Sequence, residues 1–395
     1  MKKLPRIGLL PRIVIAILLG VGIGWISPTW FARLFATFNA VFSQFLGFLI
    51  PLIIVGFVAP AIADLGGRAG KMLLVTAALA YGFTLIAGFT SFFTGAWLFP
   101  SMISADASQA MAADASASVP PYFSVEIPSV MPVMTALVLA FIVGIGAAFT
   151  TGKVLLEAMR EFRQIVTMTI HKAIIPLLPF YIFGIFLTMT VVGQVGIILT
   201  TFAKIIAVIF VLHILILLFQ YCVAACFNGR NPLKMLWTIM PAYFTALGTQ
   251  SSAATIPVTL RQTKELGVDE DVAGFTVPLC ATIHMSGSTL KIVACALALM
   301  IMQGIPYNVG DFAEFIAMLG VTIIAAPGIP GGAIMASLGL LSAILGFNDA
   351  QNAMMIALYI AMDSFGTACN VAGDGALSVI VNRYFGKTKA ARTDA

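Results

Sequence analysis

Residues 360–381 read IAMDSFGTACNVAGDGALSVIV. Asp363 and Asp374 sit here among Ala, Gly, Val, Ile and Leu, and apolar sequence continues on the N-terminal side. At about 100° per residue, Asn370 projects about 20° to one side of Asp363, Asp374 about 20° to the other, and Thr367 about 40° away. The four side chains thus line one helix face over about three turns, while Ser364 and Phe365 point elsewhere. In a bilayer each of these carboxylates costs a few kcal/mol at least, so two on one stripe point to an ion or substrate pathway.

Composition decides that the surroundings are a bilayer. Of 395 residues, 9% are charged and 60% hydrophobic, and the mean hydropathy is +1.04. A soluble domain spends roughly a quarter of its residues on charge, so a water-facing surface cannot be built here and a soluble enzyme is excluded. A disordered chain is polar and charge-rich, which excludes disorder as well. Apolar stretches near 20 residues recur from end to end, pointing to helices and not to the shorter alternating strands of a barrel. The expected fold is an all-α polytopic membrane protein with spans at 7–27, 37–63, 72–100, 129–150, 158–190, 196–227, 270–303 and 348–384. The start, MKKLPRIGLLPRIVIAILLG, has a long apolar run and no Ala-x-Ala site after it, so it reads as an uncleaved first helix.

The net charge of +5 is unevenly placed. Lys2, Lys3, Arg6 and Arg12, then Arg68 and Lys71, Lys153, Arg160 and Arg163, Arg230 and Lys234, Arg261 and Lys264, and finally Arg383, Lys387, Lys389 and Arg392 fall between alternate apolar runs. Asp106, Asp114 and Glu126, Asp311 and Glu314, and Asp349 mark the intervening loops. The positive-inside rule then puts both termini and the basic loops in the cytoplasm of a multi-pass protein, expected in the plasma (inner) membrane. The basic balance is topology, and no nucleic-acid partner is expected. The five cysteines, Cys222, Cys226, Cys280, Cys295 and Cys369, lie in apolar context without zinc or redox spacing and read as small hydrophobes.

Two segments break the pattern of plain spans. Residues 232–262 carry PAYFTALGTQSSAATIPVTL, two short apolar arms around a Ser-rich tip, with basic residues at both ends. Residues 311–346 carry two short arms around Pro327-Gly328-Ile329-Pro330-Gly331-Gly332, with acidic residues at both ends. Each reads as a re-entrant hairpin, one from each side, and each precedes a long helical stretch. Open backbone at membrane depth is tolerated only where protein or a water-lined cavity supplies hydrogen bonds. Paired Gly/Pro-interrupted segments in corresponding places point to an inverted-repeat transporter and its binding site.

The stretch 270–303 has its own polar break, CATIHMSGSTLKIV, containing Thr282, His284, Ser286, Ser288, Thr289 and Lys291. Lys291 lies too far from either end to snorkel, so it needs a partner or a cavity. His284 reads either as a hydrogen-bonded core residue or as a proton carrier. His171 and His213 read as structural. No nucleophile–base pair or metal cluster marks the broken segments, so no enzyme activity and no cofactor is expected.

These residues resemble those of the dicarboxylate/amino acid:cation symporters, the glutamate-transporter family. Ser251-Ser252-Ala253-Ala254-Thr255-Ile256-Pro257 is similar to the family's first hairpin tip, Gly328-Ile329-Pro330-Gly331-Gly332 to its second, and Asp363 through Asp374 to its last-helix motif. The resemblance implies eight transmembrane helices, two re-entrant hairpins, inverted repeats and an elevator-type transporter assembled as a homotrimer. Scaffold helices 1–2 would fall in 1–71 and helices 4–5 in 129–190, with an extracellular loop at 101–128. The transport domain would take helix 3 (72–100), helix 6 (196–227), the first hairpin (232–262), helix 7 (270–303), the second hairpin (311–346, the outer gate) and helix 8 (348–384), before a cytoplasmic tail at 385–395.

The resemblance also implies roles. Ser251, Ser252, Ser288, Gly331, Thr367 and Asn370 would frame the substrate, with Ser252 and Asn370 on its α-carboxylate and Asp363 on its α-amino group. Asp374 would coordinate sodium together with Asn370 and nearby carbonyls, Thr282 would frame another ion, and Tyr81 and Thr84 would belong to a third ion site with His284 and Ser286. The departures matter as much. The family's Asn-Met-Asp-Gly-Thr motif reads His284-Met285-Ser286-Gly287-Ser288 here, and Leu85 replaces a polar ligand beside Thr84. Gly366 stands where acidic amino-acid transporters have an Arg, which removes a bidentate partner for a side-chain carboxylate. Three readings result. The first is a symporter for a small, neutral amino acid coupled to sodium, with protons the competitor. The second moves an acidic amino acid or C4-dicarboxylate held by Lys291. The third is an uncoupled anion channel or a substrate sensor.

Overall fold

The computed structural model describes residues 9–66, 70–103, 119–193, 195–324 and 331–386. Outside them lie most of the expected extracellular loop, the Pro327–Pro330 part of the second tip, the end of the tail, and the basic residues Lys2, Lys3, Arg6, Arg68, Lys387, Lys389 and Arg392. The described chain is helical: α1 (Leu9–Gly24), α2 (Thr29–Gly66), α3 (Lys71–Met102), α4 (Val133–Phe149), α5 (Val154–Thr169), α6 (Ile175–Val191), α7 (Val195–Asn228), α8 (Pro232–Thr249), α9 (Ser252–Glu265), α10 (Glu270–Ile283), α11 (Ser286–Met302), α12 (Val309–Ile324), α13 (Gly332–Leu345), α14 (Asp349–Ala361) and α15 (Asp363–Phe385).

Among the described residues five helical stretches are long and apolar enough to cross a bilayer, and a sixth is added if α14 and α15, bent by 62° where they meet, count as one span. The chain is thus a multi-pass membrane protein. Its surface agrees: Val211, Ile214 and Leu215 of α7 are exposed. Trp25, Trp30, Trp97 and Trp237 are all exposed near helix ends, where an indole suits the membrane–water boundary.

Several boundaries differ from those expected. The span read as 37–63 begins at Thr29, because Arg33, which interrupts the apolar run, lies over the Tyr122 ring (4.4 Å to its centroid) and donates to the Pro121 carbonyl (3.5 Å). The span read as 158–190 starts at Val154 and passes from α5 to α6 through a π-turn at Ile170–Ile174. Pro176 and Pro179 follow directly and offer no N–H to the preceding turn, which accounts for the widening there. The segments 270–303 and 348–384 are each two helices, broken at His284-Met285 and at Met362.

Helices α1, α2, α4, α5 and α6 pack on one another, and α3 and α7 through α15 form a second cluster that meets the first chiefly through α12, α13 and α14. The short pairs α8/α9 and α12/α13 each pack arm against arm. Over its apolar window the α10–α11 stretch is 94% buried, so it runs through the centre of the second cluster and not along the lipid. Close approach of α2 and α4 needs Gly144: a Cβ there would stand 2.7 Å from the Ala59 carbonyl oxygen and 2.9 Å from Ile62 Cβ, whereas Gly146 faces open space. Gly144→Ala is expected to destabilise the protein by about 1–3 kcal/mol, and Gly146→Ala to leave it unchanged or to stabilise it by up to about 1 kcal/mol. Thermal unfolding of the two variants in detergent checks this.

Candidate functional site

The breaks in α10–α11 and α14–α15 lie side by side, and the polar residues gather there. Breaking a helix strands backbone N–H groups, which need partners when buried. Asn370 supplies them: its Oδ1 accepts from Gly287 N (2.8 Å) and Ser288 N (3.3 Å), and its Nδ2 donates to Ser288 Oγ (3.0 Å) and approaches Met285 Sδ (3.3 Å). Tyr359 of α14 donates its hydroxyl to the same Ser288 Oγ (3.1 Å). From α7, His213 Nε2 contacts the Gly287 carbonyl at 3.0 Å. Gly287 itself must be glycine, since a Cβ would lie 2.7 Å from the Gly366 carbonyl oxygen.

Each intramembrane aspartate is met by a basic side chain from this stretch. Lys291 Nζ donates to Asp363 Oδ1 at 3.0 Å and to the Met362 carbonyl at 3.4 Å, and stands 3.5 Å from the centroid of the Tyr359 ring. The other carboxylate oxygen, Asp363 Oδ2, accepts from Gly331 N at 2.7 Å. Gly331 has φ +78°, a left-handed conformation that glycine adopts freely and that presents its N–H at the start of α13. Asp374 Oδ1 lies 3.0 Å from His284 Nδ1, and Gln220 Nε2 lies 3.2 Å from His284 Nε2 and 3.1 Å from Ser286 Oγ. A carboxylate beside Nδ1 and an amide N–H beside Nε2 fit an imidazole protonated on Nδ1. Asp363, Asp374, His284 and Lys291 are all buried.

Glycines on α15 make room for these partners. A Cβ at Gly366 would stand 2.7 Å from Lys291 Nζ, and one at Gly373 would stand 2.4 Å from both His284 Cε1 and Gln220 Oε1. Helix α15 is continuous from Asp363 onward, and Asp363, Asn370 and Asp374 each meet the α10–α11 stretch, while Thr367 is buried on a helix covered nearly all round.

The structure therefore brings together Ser286, His284, Ser288, Lys291, Gly331, Asp363, Gly366, Asn370 and Asp374. It places the others differently. Ser251 caps α9, accepting from Ala254 N at 3.3 Å, and Ser252 is buried in the first turn of that helix. Tyr81 donates to the Ala317 carbonyl (3.2 Å), tying α3 to α12, and Thr84 donates within its own helix to Ala80 O (2.8 Å). Thr282 donates to Leu279 O and is exposed, so its side chain stays out of the cluster. Two residues without a mark in the sequence reading, Gln220 and Tyr359, belong to the site, and His213, read as structural, holds the Gly287 carbonyl beside them. His213 and Gln220 are seven apart on α7 and so share one face, a spacing that could have singled them out.

If Asn370 caps the broken helix, its loss strands two buried N–H groups. Asn370→Ala is expected to lower substrate-free stability by about 1–3 kcal/mol, and Thr282→Ala, on the exposed face, by less than about 0.5. Comparison of their melting temperatures in detergent decides between them.

Comparison with known proteins agrees with the geometry. The model of the sodium:dicarboxylate symporter family matches residues 9–384. A serine/threonine transporter, SstT, from Acinetobacter baumannii is 26% identical over 344 residues, covering 84% of this chain and 84% of the relative. Excitatory amino acid transporter 2 from Homo sapiens is 33% identical over 146 residues, covering 37% of this chain and 25% of the relative. With two buried aspartates facing a pair of helix breaks, and a match spanning nearly its whole length, the chain belongs to the sodium:dicarboxylate symporter family, whose members are secondary transporters and not enzymes.

Proposed function

We propose that this protein is a symporter for a small neutral amino acid, driven by a cation gradient. The observation that carries the reading is the buried Lys291–Asp363 pair. Its two charges cancel, so a zwitterion entering beside it leaves the occluded site neutral, whereas an acidic side chain would add an uncompensated charge in low dielectric. Lys291 directs its ammonium at the Asp363 carboxylate, the Met362 carbonyl and the Tyr359 ring, and not toward a place for a second, side-chain carboxylate. Gly366 adds no guanidinium to take that role. The substrate's ammonium goes to Asp363, and its carboxylate to the N–H and hydroxyl groups around Ser288, Asn370 and the first hairpin tip at Ser251 and Ser252. The serine/threonine transporter among the relatives supports a small hydroxylated or aliphatic substrate.

For coupling, the reading assigns a cation to the Asp374 region, sodium first and a proton second. Fewer ions are expected than with an acidic residue at Ser286. The same reading takes α8/α9 and α12/α13 as re-entrant hairpins. Adding α1 and α4 as short spans to the longer helices gives eight transmembrane helices in an inverted repeat. Helices α1, α2, α4, α5 and α6 serve as the scaffold of a homotrimer and the second cluster as the moving elevator, with both termini cytoplasmic in the plasma membrane.

Uptake into proteoliposomes tests this. Labelled serine, alanine and threonine are expected to accumulate under an inward sodium gradient, and aspartate and succinate far less. Replacing sodium by choline at fixed pH is expected to abolish accumulation; an unchanged rate would exclude sodium and leave the proton. Asp363→Asn is expected to lower uptake by about tenfold to a hundredfold, the loss of one charge-assisted hydrogen bond. Aspartate or succinate uptake that Lys291→Met abolishes would replace this reading with the acidic-substrate one. Currents without accumulation would indicate a channel.

A further inference from the structure

The Lys291 ammonium is enclosed on several sides. A carboxylate and a carbonyl accept from it at 3.0 and 3.4 Å, an aromatic face covers it at 3.5 Å, and its side chain is 0% exposed. Gly366 is what lets the lysine reach this place, since a Cβ there would stand 2.7 Å from Nζ and 2.8 Å from Cε. Carboxylate, carbonyl and ring face are the groups with which proteins enclose a ligand's ammonium, and here the chain's own lysine fills the enclosure. The carboxylate it occupies is the one that the functional reading gives to the substrate's ammonium.

A buried carboxylate stripped of its partner is strongly unfavourable in protein and more so in a bilayer. A carrier that has released its substrate must nevertheless return across the membrane before it can load again. We propose that Lys291 is an internal counter-cation for this empty state. Its ammonium covers Asp363 when the site holds no substrate. When a substrate ammonium arrives, Lys291 yields the carboxylate and keeps the Tyr359 face and the Met362 carbonyl. Asp363 therefore carries an ammonium in both the loaded and the empty carrier, and the return step needs no further cation at this position.

This rests on the amino-acid symport reading, and the test separates the two. In proteoliposomes, net uptake into substrate-free vesicles requires the empty carrier to return; exchange against vesicles preloaded with the same amino acid does not. With labelled serine as the probe, or whichever amino acid the wild type accumulates, Lys291→Met is expected to lower net uptake by roughly tenfold or more beyond its effect on exchange, because the loaded variant keeps an ammonium on Asp363 and the empty one has none. Lys291→Gln is expected to show the same split. A purely structural lysine would lower both modes together. Equal loss of both modes in both variants overturns the inference, as does unchanged net uptake in either. A wild type that moves no amino acid in either mode overturns the functional reading and this inference with it; an active wild type whose variants show no split removes this inference alone.

Discussion

In a bilayer, backbone and side-chain polar groups must find their partners inside the protein, because hydrocarbon offers none. Two helix breaks at membrane depth make this requirement acute, and the centre of the molecule is organised around meeting it. Asn370 takes the N–H groups that open α11, His213 reaches its Gly287 carbonyl, and Tyr221 donates to the Ala372 carbonyl of α15 at 2.8 Å. The glycines follow from the same requirement. Gly287, Gly366, Gly373 and Gly375 each sit where a Cβ would stand within 3 Å of a neighbouring atom, so α15 can lie against α10, α11 and α7 only because these side chains are missing.

Charge obeys the same rule. Asp363 and Asp374 are too costly to bury alone, and each finds a base from the broken α10–α11 stretch. The two unusual residues of that stretch, His284 and Lys291, are matched by open positions on α15: Gly373 admits the imidazole and Gly366 the ammonium. At Gly366 a side chain absent from α15 makes the room that Lys291 of α11 fills, and Lys291 supplies internally a positive charge that a bare carboxylate would draw from solution.

The helices around this centre are simpler. Helices α1, α2, α4, α5 and α6 are held by close apolar packing, with Gly144 against α2 and Gly20 and Gly24 against α6. Their polar contacts are between neutral groups, such as Ser43 of α2 with Tyr181 of α6 at 2.8 Å. Among the described residues this cluster offers no buried charge for an ion or zwitterion, while the second cluster holds Lys291, Asp363 and Asp374.

The sequence alone determined the class of this protein and the family it resembles. A charged fraction of 9% against 60% apolar residues leaves no other solvent than lipid, and the spacing of Asp363, Thr367, Asn370 and Asp374 puts them on one face because the helix period is fixed by the backbone. It also marked His284 and Gly366 as departures, each visible as a single letter in a motif, and Lys291 as a charge in need of a partner. What it could not decide was which groups these side chains meet, because partners such as Gln220, Tyr359 and Gly331 are distant from them in sequence. It likewise could not show that Thr282 turns outward, or that Asn370 is engaged by the broken helix, since both depend on where a neighbouring helix ends. Only the packing of α15 against α7, α11 and α13 decided that Lys291 rests on Asp363 and His284 on Asp374, because a buried charge takes whatever partner the tertiary fold brings within reach.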